Sequence, residues 1–271
     1  KRQISASTPG PTEQEADLAP WVEGCRGSGT RVLFCLEPNP AHPHVAYDRT
    51  MVHIHGGTPT GLSTENYRSM ALGACQQGAD GVYFFNTHFM FDRFATHPTL
   101  DILEEMPHRE LMAERDQRYL VPRMPPRYSH HWFFECAPPR PMPKWVPREE
   151  PEYSFGITVG SDLKSAAAAH RLRAVKLRLC LAQVTPPDVI EVVWNGQVLA
   201  GDFEPPLVPG TWQHWYAIHF WVGDLLGQDL APQPGRQEIT FRLKERNPEI
   251  GEGIICLLYT TDAADERSSV A

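Results

Sequence analysis

The sequence lacks the short motifs of several common enzyme classes. It contains no Gly-x-Ser-x-Gly, so nothing supports a serine hydrolase of the nucleophile-elbow type. It also contains neither Gly-x-x-x-x-Gly-Lys nor Gly-x-Gly-x-x-Gly, which argues against phosphate-binding loops and dinucleotide sites. The six cysteines never occur in Cys-x-x-Cys spacing, and we interpret them as buried free thiols rather than as disulfides or zinc ligands. We therefore expect no cofactor and no metal.

Basic clusters and long apolar runs are scarce as well. The formal net charge is −8 and the Lys and Arg residues are scattered, which argues against a nucleic acid or an anionic membrane as partner. No apolar run has the length of a signal peptide or a membrane-spanning helix. Because the chain begins with Lys1 and not with Met, this carries no information about a leader. Nothing in the sequence indicates the compartment or the oligomeric state.

A helix followed by a buried strand is the clearest structural pattern. Ser63 is a favourable N-cap, and a stripe of apolar residues at helical spacing follows it as far as Gln77. Gly78 fits the position after the helix end that needs a left-handed backbone. The apolar run Gly81–Phe85 then predicts a strand buried on both faces, and Asn86 follows it. This order is typical of one step of a parallel α/β fold.

A second step of the same kind lies upstream. Residues 17–26 predict a short helix, and the apolar run Arg31–Leu36 predicts another buried strand. Pro38 cannot donate to a sheet ladder and ends this strand, so Glu37 is a carboxylate at the strand's carboxyl end. Parallel α/β folds place their chemistry at that end, which makes Glu37 a catalytic candidate. The alternative is that Glu37 caps a neighbouring loop or pairs with an Arg.

Further candidates lie in the loops that follow these two strands. We expect Asn86 and His88 to contact substrate at the same mouth, with Asp92 as a third candidate; the alternative for Asn86 is a loop cap. The loop 38–62 holds four histidines, and four imidazoles could ligate zinc. Histidine-rich loops without Cys are usually solvated, however. We therefore interpret the loop, including His55, as substrate-contacting rather than metal-binding.

The second half of the chain predicts an antiparallel β domain. It follows residues 122–151, which contain nine prolines and predict an extended linker. Apolar and polar residues alternate over 175–181 and 239–243, and Asn195-Gly196 is a strong hairpin signal. Several short strands separated by turns favour a sandwich. The predicted strands are Tyr153–Val159, Ala174–Val184, Val189–Trp194, Gln197–Leu199, His214–Val222, Gln237–Lys244 and Gly253–Leu258, and helices are predicted over 100–106, 109–119 and 162–170.

Several motifs carry a resemblance to known families. Residues 189–199 and 234–243 resemble the paired signature of galactose-binding-like jelly rolls, in which one strand ends in an Asn-Gly turn and a later Pro-Gly turn opens another. Over roughly residues 17–255, the chain resembles bacterial family-10-like glycosyl hydrolases, which have a (β/α)₈ barrel followed by a β-sandwich. The other carriers of this resemblance are Ser-Thr-Glu-Asn-Tyr-Arg at 63–68, Gly78–Asn86, and residues 114–119.

The resemblance implies a fold class of α/β plus all-β. The chain would hold the truncated carboxyl-terminal portion of a (β/α)₈ barrel, followed by a jelly-roll, galactose-binding-like sandwich. Arg31–Leu36 would be barrel strand seven and Gly81–Phe85 strand eight, with the earlier strands outside the chain. The implied domains are a partial barrel over 1–121, the linker over 122–151, the sandwich over 152–258 and a non-native tail over 259–271.

The resemblance also implies glycoside hydrolysis, with a carbohydrate as the substrate. That reaction usually needs two carboxylates flanking the scissile bond. Glu37 matches the one that follows strand seven, whereas the one after strand four would lie outside this chain, so we expect the fragment alone to be inactive. The alternative is a non-catalytic carbohydrate-binding or scaffold protein. Aromatic residues of the sandwich could stack on sugars, although we favour core packing for most of Trp194, Trp212, Trp215, Tyr216 and Trp221.

The carboxyl-terminal residues carry a resemblance of another kind. Residues 256–266 look like the translation of a sequencing-library adapter and differ from it at Thr261, where that translation has Ser. On this interpretation, residues from about Cys256 onward were never selected for a function. The alternative is a natural strand followed by an acidic tail.

Overall fold

The computed structural model describes residues 3–6, 17–36, 64–84, 101–121, 144–147, 149, 151–185, 187–204, 218–249 and 254–265. These residues mix helix and sheet, are mostly strand, and contain no closed barrel. The helices are α1 (Ala19–Cys25), α2 (Thr64–Gln76), α3 (Asp101–Glu105), α4 (Arg109–Ala113) and α5 (Leu163–Ala168). The strands are β1 (Gln3–Ala6), β2 (Arg31–Leu36), β3 (Gly81–Phe84), β4 (Gln117–Val121), β5 (Lys144–Val146), β6 (Glu152–Val159), β7 (Leu172–Ala182), β8 (Val189–Trp194), β9 (Gln197–Leu199), β10 (Gly201–Phe203), β11 (Ile218–Asp224), β12 (Gly235–Glu245) and β13 (Ile254–Asp265).

The first part of the chain forms a small parallel sheet. Its strand order is β1-β2-β3, and the predicted steps from α1 to β2 and from α2 to β3 are confirmed. Burial alternates along β2, where Val32, Phe34 and Leu36 are buried and Leu33 is half-buried. All of β3 is half-buried. The prediction of strands buried on both faces is therefore wrong here, because β3 is an edge strand of a three-stranded sheet in the described residues.

The end of helix α2 follows the predicted glycine stop. Gly78 has φ of 94°. Its N–H donates to the carbonyl oxygen of Cys75 over 3.1 Å, and the N–H of Ala79 donates to that of Ala74 over 3.0 Å. These two bonds make a Schellman motif, which needs a left-handed residue after the helix. The motif turns the chain directly into β3.

The second part is sandwich-like. A six-stranded antiparallel sheet has the order β10-β11-β7-β13-β4, with β5 also paired to β13, and a four-stranded antiparallel sheet has the order β6-β12-β8-β9. The predicted alternation is confirmed, since one side of β7 and one side of β12 are buried in a shared apolar core. The core residues from these two strands are Val175, Leu177, Leu179, Leu181, Ile239, Phe241 and Leu243.

Strand β4 replaces part of a predicted helix. The helix expected over 109–119 ends at Ala113, and Gln117–Val121 pairs antiparallel with residues 259–263 of β13. The helix prediction is therefore wrong for Gln117–Tyr119, because pairing with a distant strand outweighs the local helical spacing.

Strand β13 links several segments of the chain. Along one edge it pairs with β7 over most of its length, and along the other it pairs with β4 and with β5, which comes from the predicted linker. It continues to Asp265, past the predicted strand end at Leu258. Residues that resemble adapter sequence therefore lie in the interior of the six-stranded sheet.

The two parts of the chain share buried surface. Phe34 and Tyr67 belong to the same apolar cluster as Cys180 and Phe220 of the six-stranded sheet. Helix α2 also passes the end of β6 so closely that a Cβ at Gly160 would overlap the backbone of Leu72. The parallel sheet and the sandwich-like part are therefore packed against each other.

Candidate functional site

The carboxyl edge of the parallel sheet is the place where the sequence predicts chemistry. β2 and β3 run parallel with Leu36 opposite Phe84, and these are the final residues of the two strands. Glu37 is the next residue after Leu36 in the sequence, and Asn86 is the second after Phe84. The chain therefore leaves both strands at one edge immediately before these candidates, as the carboxyl-end rule for parallel sheets requires.

The predicted site residues themselves lie outside the described part of the chain. The same holds for the other three histidines of the loop 38–62. Among the described residues, no group of three His, Cys, Asp or Glu side chains could hold a metal ion. In the same ranges, no helix is long and apolar enough to cross a membrane. The five predicted positions are Glu37, His55, Asn86, His88 and Asp92.

The opposite, amino-terminal edge of the sheet is held by Asp80. Its carboxylate Oδ2 accepts a hydrogen bond from the N–H of Val32 over 2.8 Å, and its own N–H donates to the carbonyl oxygen of Val32 over 2.8 Å. Gln77 adds a further bond, because its Oε1 accepts from the N–H of Leu18 over 2.8 Å. The two bonds of Asp80 fix the start of β2 against the start of β3, and the bond of Gln77 ties the end of α2 to the start of α1.

A buried ion pair sits beside α2. Arg68 donates from Nε to Glu105 Oε2 over 2.6 Å and from Nη2 to Glu105 Oε1 over 3.1 Å, and its Nη1 donates to the carbonyl oxygen of Asp116 over 3.0 Å. The side chains of Arg68 and Glu105 are 9% and 5% exposed. Both groups are satisfied internally, so the pair anchors α3 and the segment before β4 to α2. Sequence reasoning missed it, because nothing local links the two positions.

Four of the six cysteines are seen as free thiols. They are Cys25, Cys35, Cys75 and Cys180. Burial raises the pKa of the Cys75 thiol, against the opposing charge of Arg109. The prediction of buried thiols is confirmed for Cys180 alone; it is wrong for Cys25, Cys35 and Cys75, which are half-buried.

The described residues contain a second candidate site, at the hairpin between β8 and β9. Asn195 and Gly196 have φ of 48° and 81°, which confirms the predicted turn. Together with Arg236 and Glu238 of β12, they line an open depression of about 420 Å³. The turn thereby brings the two segments of the galactose-binding-like resemblance side by side.

Hydrogen bonds fix this turn to β12. Asn195 Oδ1 accepts from the N–H of Glu238 over 2.8 Å, and its Nδ2 donates to Gln237 Oε1 over 2.8 Å. The N–H of Asn195 also donates to the carbonyl oxygen of Glu238 over 2.9 Å. The Asn195 amide is therefore a structural element of the floor, and the charged groups at the rim come from Arg236 and Glu238.

The rest of this sheet face is electrostatically neutralised. Arg242 donates to Glu152 over 2.6 Å and to Glu191 over 3.1 Å, and Lys244 lies 3.6 Å from Glu191. A hydrogen bond from Arg242 is the main cause that lowers the pKa of the Glu191 carboxyl. Two basic and two acidic side chains therefore neutralise one another on the outer face of the four-stranded sheet. They are Arg242, Lys244, Glu152 and Glu191.

The aromatic residues that the structure describes are not at this site. Trp194 and Trp221 are 2% and 3% exposed and belong to the sandwich core, which confirms core packing for these two. Trp212, Trp215 and Tyr216 lie outside the described residues. The depression offers hydrogen-bonding groups without an aromatic platform among its lining residues.

Comparison with protein-family models and with curated proteins gives no match for this chain. The function is therefore inferred from the carboxyl edge of the parallel sheet and from the depression at the Asn195-Gly196 turn.

Proposed function

We propose that the carboxyl edge of the parallel sheet is part of the substrate mouth of a glycoside hydrolase, with Glu37 as one of its two carboxylates. The observation that carries this proposal is the parallel pairing of β2 with β3, which ends on Leu36 opposite Phe84. This pairing makes the segments that begin with Glu37 and lead to Asn86 start from one edge. A sugar ring bound there would meet side chains from both loops.

The finer fold assignment belongs to the same proposal. β2 and β3 would be strands seven and eight of a (β/α)₈ barrel. The parallel strand β1 beside β2 would then be an earlier barrel strand, so the expectation that all earlier strands lie outside the chain does not hold for β1. The remaining strands would complete the cover of the half-buried β3. In support, parallel sheets are normally covered on both faces, and β3 is not. The sandwich-like part would be a galactose-binding-like jelly roll. In support, β8 and β12, which carry its two sequence motifs, are hydrogen-bonded neighbours.

The proposed chemistry assigns Glu37 one of two roles. In a retaining enzyme it would be the nucleophile, and in an inverting enzyme the base that activates water. The acid that protonates the leaving group would come from another barrel strand. Asn86 and His88 would donate hydrogen bonds to sugar hydroxyls beside the reacting carbon. His55 and Asp92 would contact more distant parts of the substrate from the surrounding loops.

Substitution of Glu37 tests the proposal in the complete reading frame that contains this sequence. Hydrolysis of a panel of aryl glycosides and neutral oligosaccharides is compared between Glu37, Glu37→Gln and the control Glu23→Gln. Glu23 is an exposed residue of α1 that pairs with the exposed Arg26. Glu37→Gln removes the charge and keeps the shape, so we expect turnover to fall by several orders of magnitude, whereas Glu23→Gln retains it.

The alternative is a non-catalytic carbohydrate-binding or scaffold protein. It predicts that the complete protein binds oligosaccharides without hydrolysing them and that Glu37→Gln binds as the unsubstituted protein does. Equal turnover in Glu37→Gln and Glu23→Gln would remove Glu37 from the mechanism.

A further inference from the structure

We propose that the depression at the Asn195-Gly196 turn, which we call the turn site, binds a neutral saccharide through a pair of neighbouring hydroxyl groups. Arg236 would donate to one hydroxyl oxygen, and Glu238 would accept from the other hydroxyl. The turn site lies in the sandwich-like part, away from the edge that precedes Glu37. The proposal therefore stands whether or not the chain hydrolyses glycosides.

The free hydrogen-bonding capacity at the turn site is the first argument. Within the described residues, the Arg236 guanidinium and the Glu238 carboxylate take part in no ion pair or side-chain hydrogen bond, whereas Arg242 and Lys244 on the same strand are both paired. Arg236 and Glu238 are two residues apart on β12, so both project from the same face of the sheet. A ligand in the depression therefore meets a donor and an acceptor together.

The pairing of opposite charges is the second argument, and it selects the ligand class. An anion would be attracted by Arg236 and repelled by Glu238, and a cation would experience the reverse. A hydroxyl group both donates and accepts, so two neighbouring hydroxyls satisfy the guanidinium and the carboxylate at once without a net charge. Charge-assisted hydrogen bonds of this kind are about twice as strong as neutral ones.

Preorganisation of the turn site is the third argument. A Cβ at Gly156 would lie 2.7 Å from Cζ, Nε and Nη2 of Arg236, so the guanidinium lies over the bare backbone of Gly156 and a larger residue there would displace it. A glycine inside a strand is normally unfavourable and often marks a close approach. On the other side, the amide of Asn195 is held by β12. The floor of the turn site is therefore held in place before a ligand binds.

Binding to the whole chain tests the proposal. The probes are methyl β-galactoside, methyl β-glucoside and cellotetraose, with glucuronate and glucosamine as charged comparators, followed by backbone amide shifts in ¹⁵N-labelled protein. We expect a saturating shift of the Gly196 amide with at least one neutral probe. Arg236→Gln and Glu238→Gln should each weaken its binding at least tenfold, whereas the control Lys244→Gln, exposed on the same strand and face, should not.

The remaining outcomes separate this proposal from its alternatives. Glu37→Gln should leave binding at the turn site unchanged, so its result bears only on the proposed hydrolase. No saturating shift with any neutral probe would overturn the turn site, as would equal binding by Arg236→Gln and Lys244→Gln. A tenfold preference for glucuronate or glucosamine over every neutral probe would also overturn it, since the site would then select charge. All three substituted side chains are exposed or at the rim, so the fold should survive.

Discussion

The hydroxyl oxygen of Tyr119 accepts a hydrogen bond from the N–H of Gly160 over 3.1 Å. The same hydroxyl donates to Gln117 Oε1 over 2.8 Å, and Tyr119 is fully buried. Because Tyr119 lies on β4 and Gly160 follows β6, the bond joins the two sheets of the sandwich-like part where α2 crosses them. Loss of this hydroxyl would leave a buried N–H without its partner.

We predict that Tyr119→Phe lowers the free energy of unfolding by about 1–3 kcal/mol, the usual cost of an unsatisfied buried group. The ring keeps its packing, so the change isolates the hydroxyl. Urea unfolding followed by tryptophan fluorescence measures it, with Trp194 and Trp221 in the core as reporters. A loss below about 0.3 kcal/mol would show that water replaces the hydroxyl.

Tyr119 should also set the alkaline limit of stability. Burial raises its pKa to about 12, against the smaller opposing effect of hydrogen bonds from Gly160 and Ser161. An unfolded tyrosine ionises near pH 10. The stabilisation that comes from keeping the buried Tyr119 hydroxyl neutral is therefore complete below about pH 10 and is lost as the pH rises towards 12. In that window, unfolding of the wild type should become easier by up to about 1.4 kcal/mol per pH unit. Tyr119→Phe should show a shallower dependence, and equal slopes would contradict the prediction.

Protonation of Asp188 should set the lower pH limit of the protein's stability. Burial alone would raise its pKa, but hydrogen bonds from the N–H groups of Asn247 and Thr185 and from Arg246 hold it below its ordinary value. Arg246 Nη1 lies 2.5 Å from Asp188 Oδ2, and the side chain of Asp188 is fully buried. The contribution of this ion pair to the free energy of unfolding is therefore present above about pH 4 and is lost as the pH falls below that value.

We predict that Asp188→Asn costs about 3–5 kcal/mol at neutral pH, because it removes the carboxylate that neutralises the buried Arg246 charge. Acid denaturation monitored by circular dichroism should also become less steep in this variant. Asp202→Asn is the matched control, since Asp202 is exposed and its carboxylate, within the described ranges, accepts only from the N–H of the next residue. If both variants lose the same stability, the pair with Arg246 is not responsible.

The ion pair beside α2 yields a further prediction. Arg68→Ala should destabilise the protein by up to about 3–5 kcal/mol, because the buried Glu105 would keep only the half-exposed Arg115, 3.5 Å away, as its ionic partner. Arg109→Ala should cost less than about 0.5 kcal/mol, since Arg109 is exposed and makes one hydrogen bond to Gln76. Thermal unfolding compares them. The double variant Arg68→Met, Glu105→Leu should recover part of the loss, and no recovery would point to packing rather than charge.

Deletion of residues 261–271 tests the status of the carboxyl-terminal strand. In the structure, residues 261–265 pair with β7 and residues 261–263 also pair with β4, so deletion opens both ladders. We expect a loss above about 1 kcal/mol, since each net hydrogen bond contributes about 0.5–1.5 kcal/mol. The control deletion, residues 266–271, keeps all of β13. Equal stability of both truncated chains, within about 0.5 kcal/mol, would support adapter-derived residues without a structural role.

The sequence predicted correctly those elements that depend on the residue types within the element itself. The hairpin at Asn195-Gly196 requires two positive φ values, and Gly78 requires one; both signals are visible in the residue types themselves. The alternation in β12 likewise reflects one buried face. Strand β4 was missed because its partner is β13, about 140 residues away in the chain, and no local signal encodes that pairing.

One candidate site could be located from the sequence and the other could not. Glu37 could be assigned to a strand end from sequence, because Pro38 marks where the strand must stop. Arg236 and Glu238 could not be found, since their free charges depend on what the neighbouring strands supply. Gly156 gives the guanidinium its space, and Asn195 shapes the floor. Only the assembled sheet places these four residues together.

The interior place of β13 has a consequence for the order of events during synthesis. Its partners β4, β5 and β7 all leave the ribosome before it, so one edge of β7 stays unpaired until residue 265 has emerged. Open strand edges favour pairing with other chains, and long-range pairing is slow. We therefore expect nascent chains stalled before residue 254 to be sensitive to protease in β7 and prone to aggregation, and chains tethered to the ribosome by a flexible linker added after residue 271 to be protected.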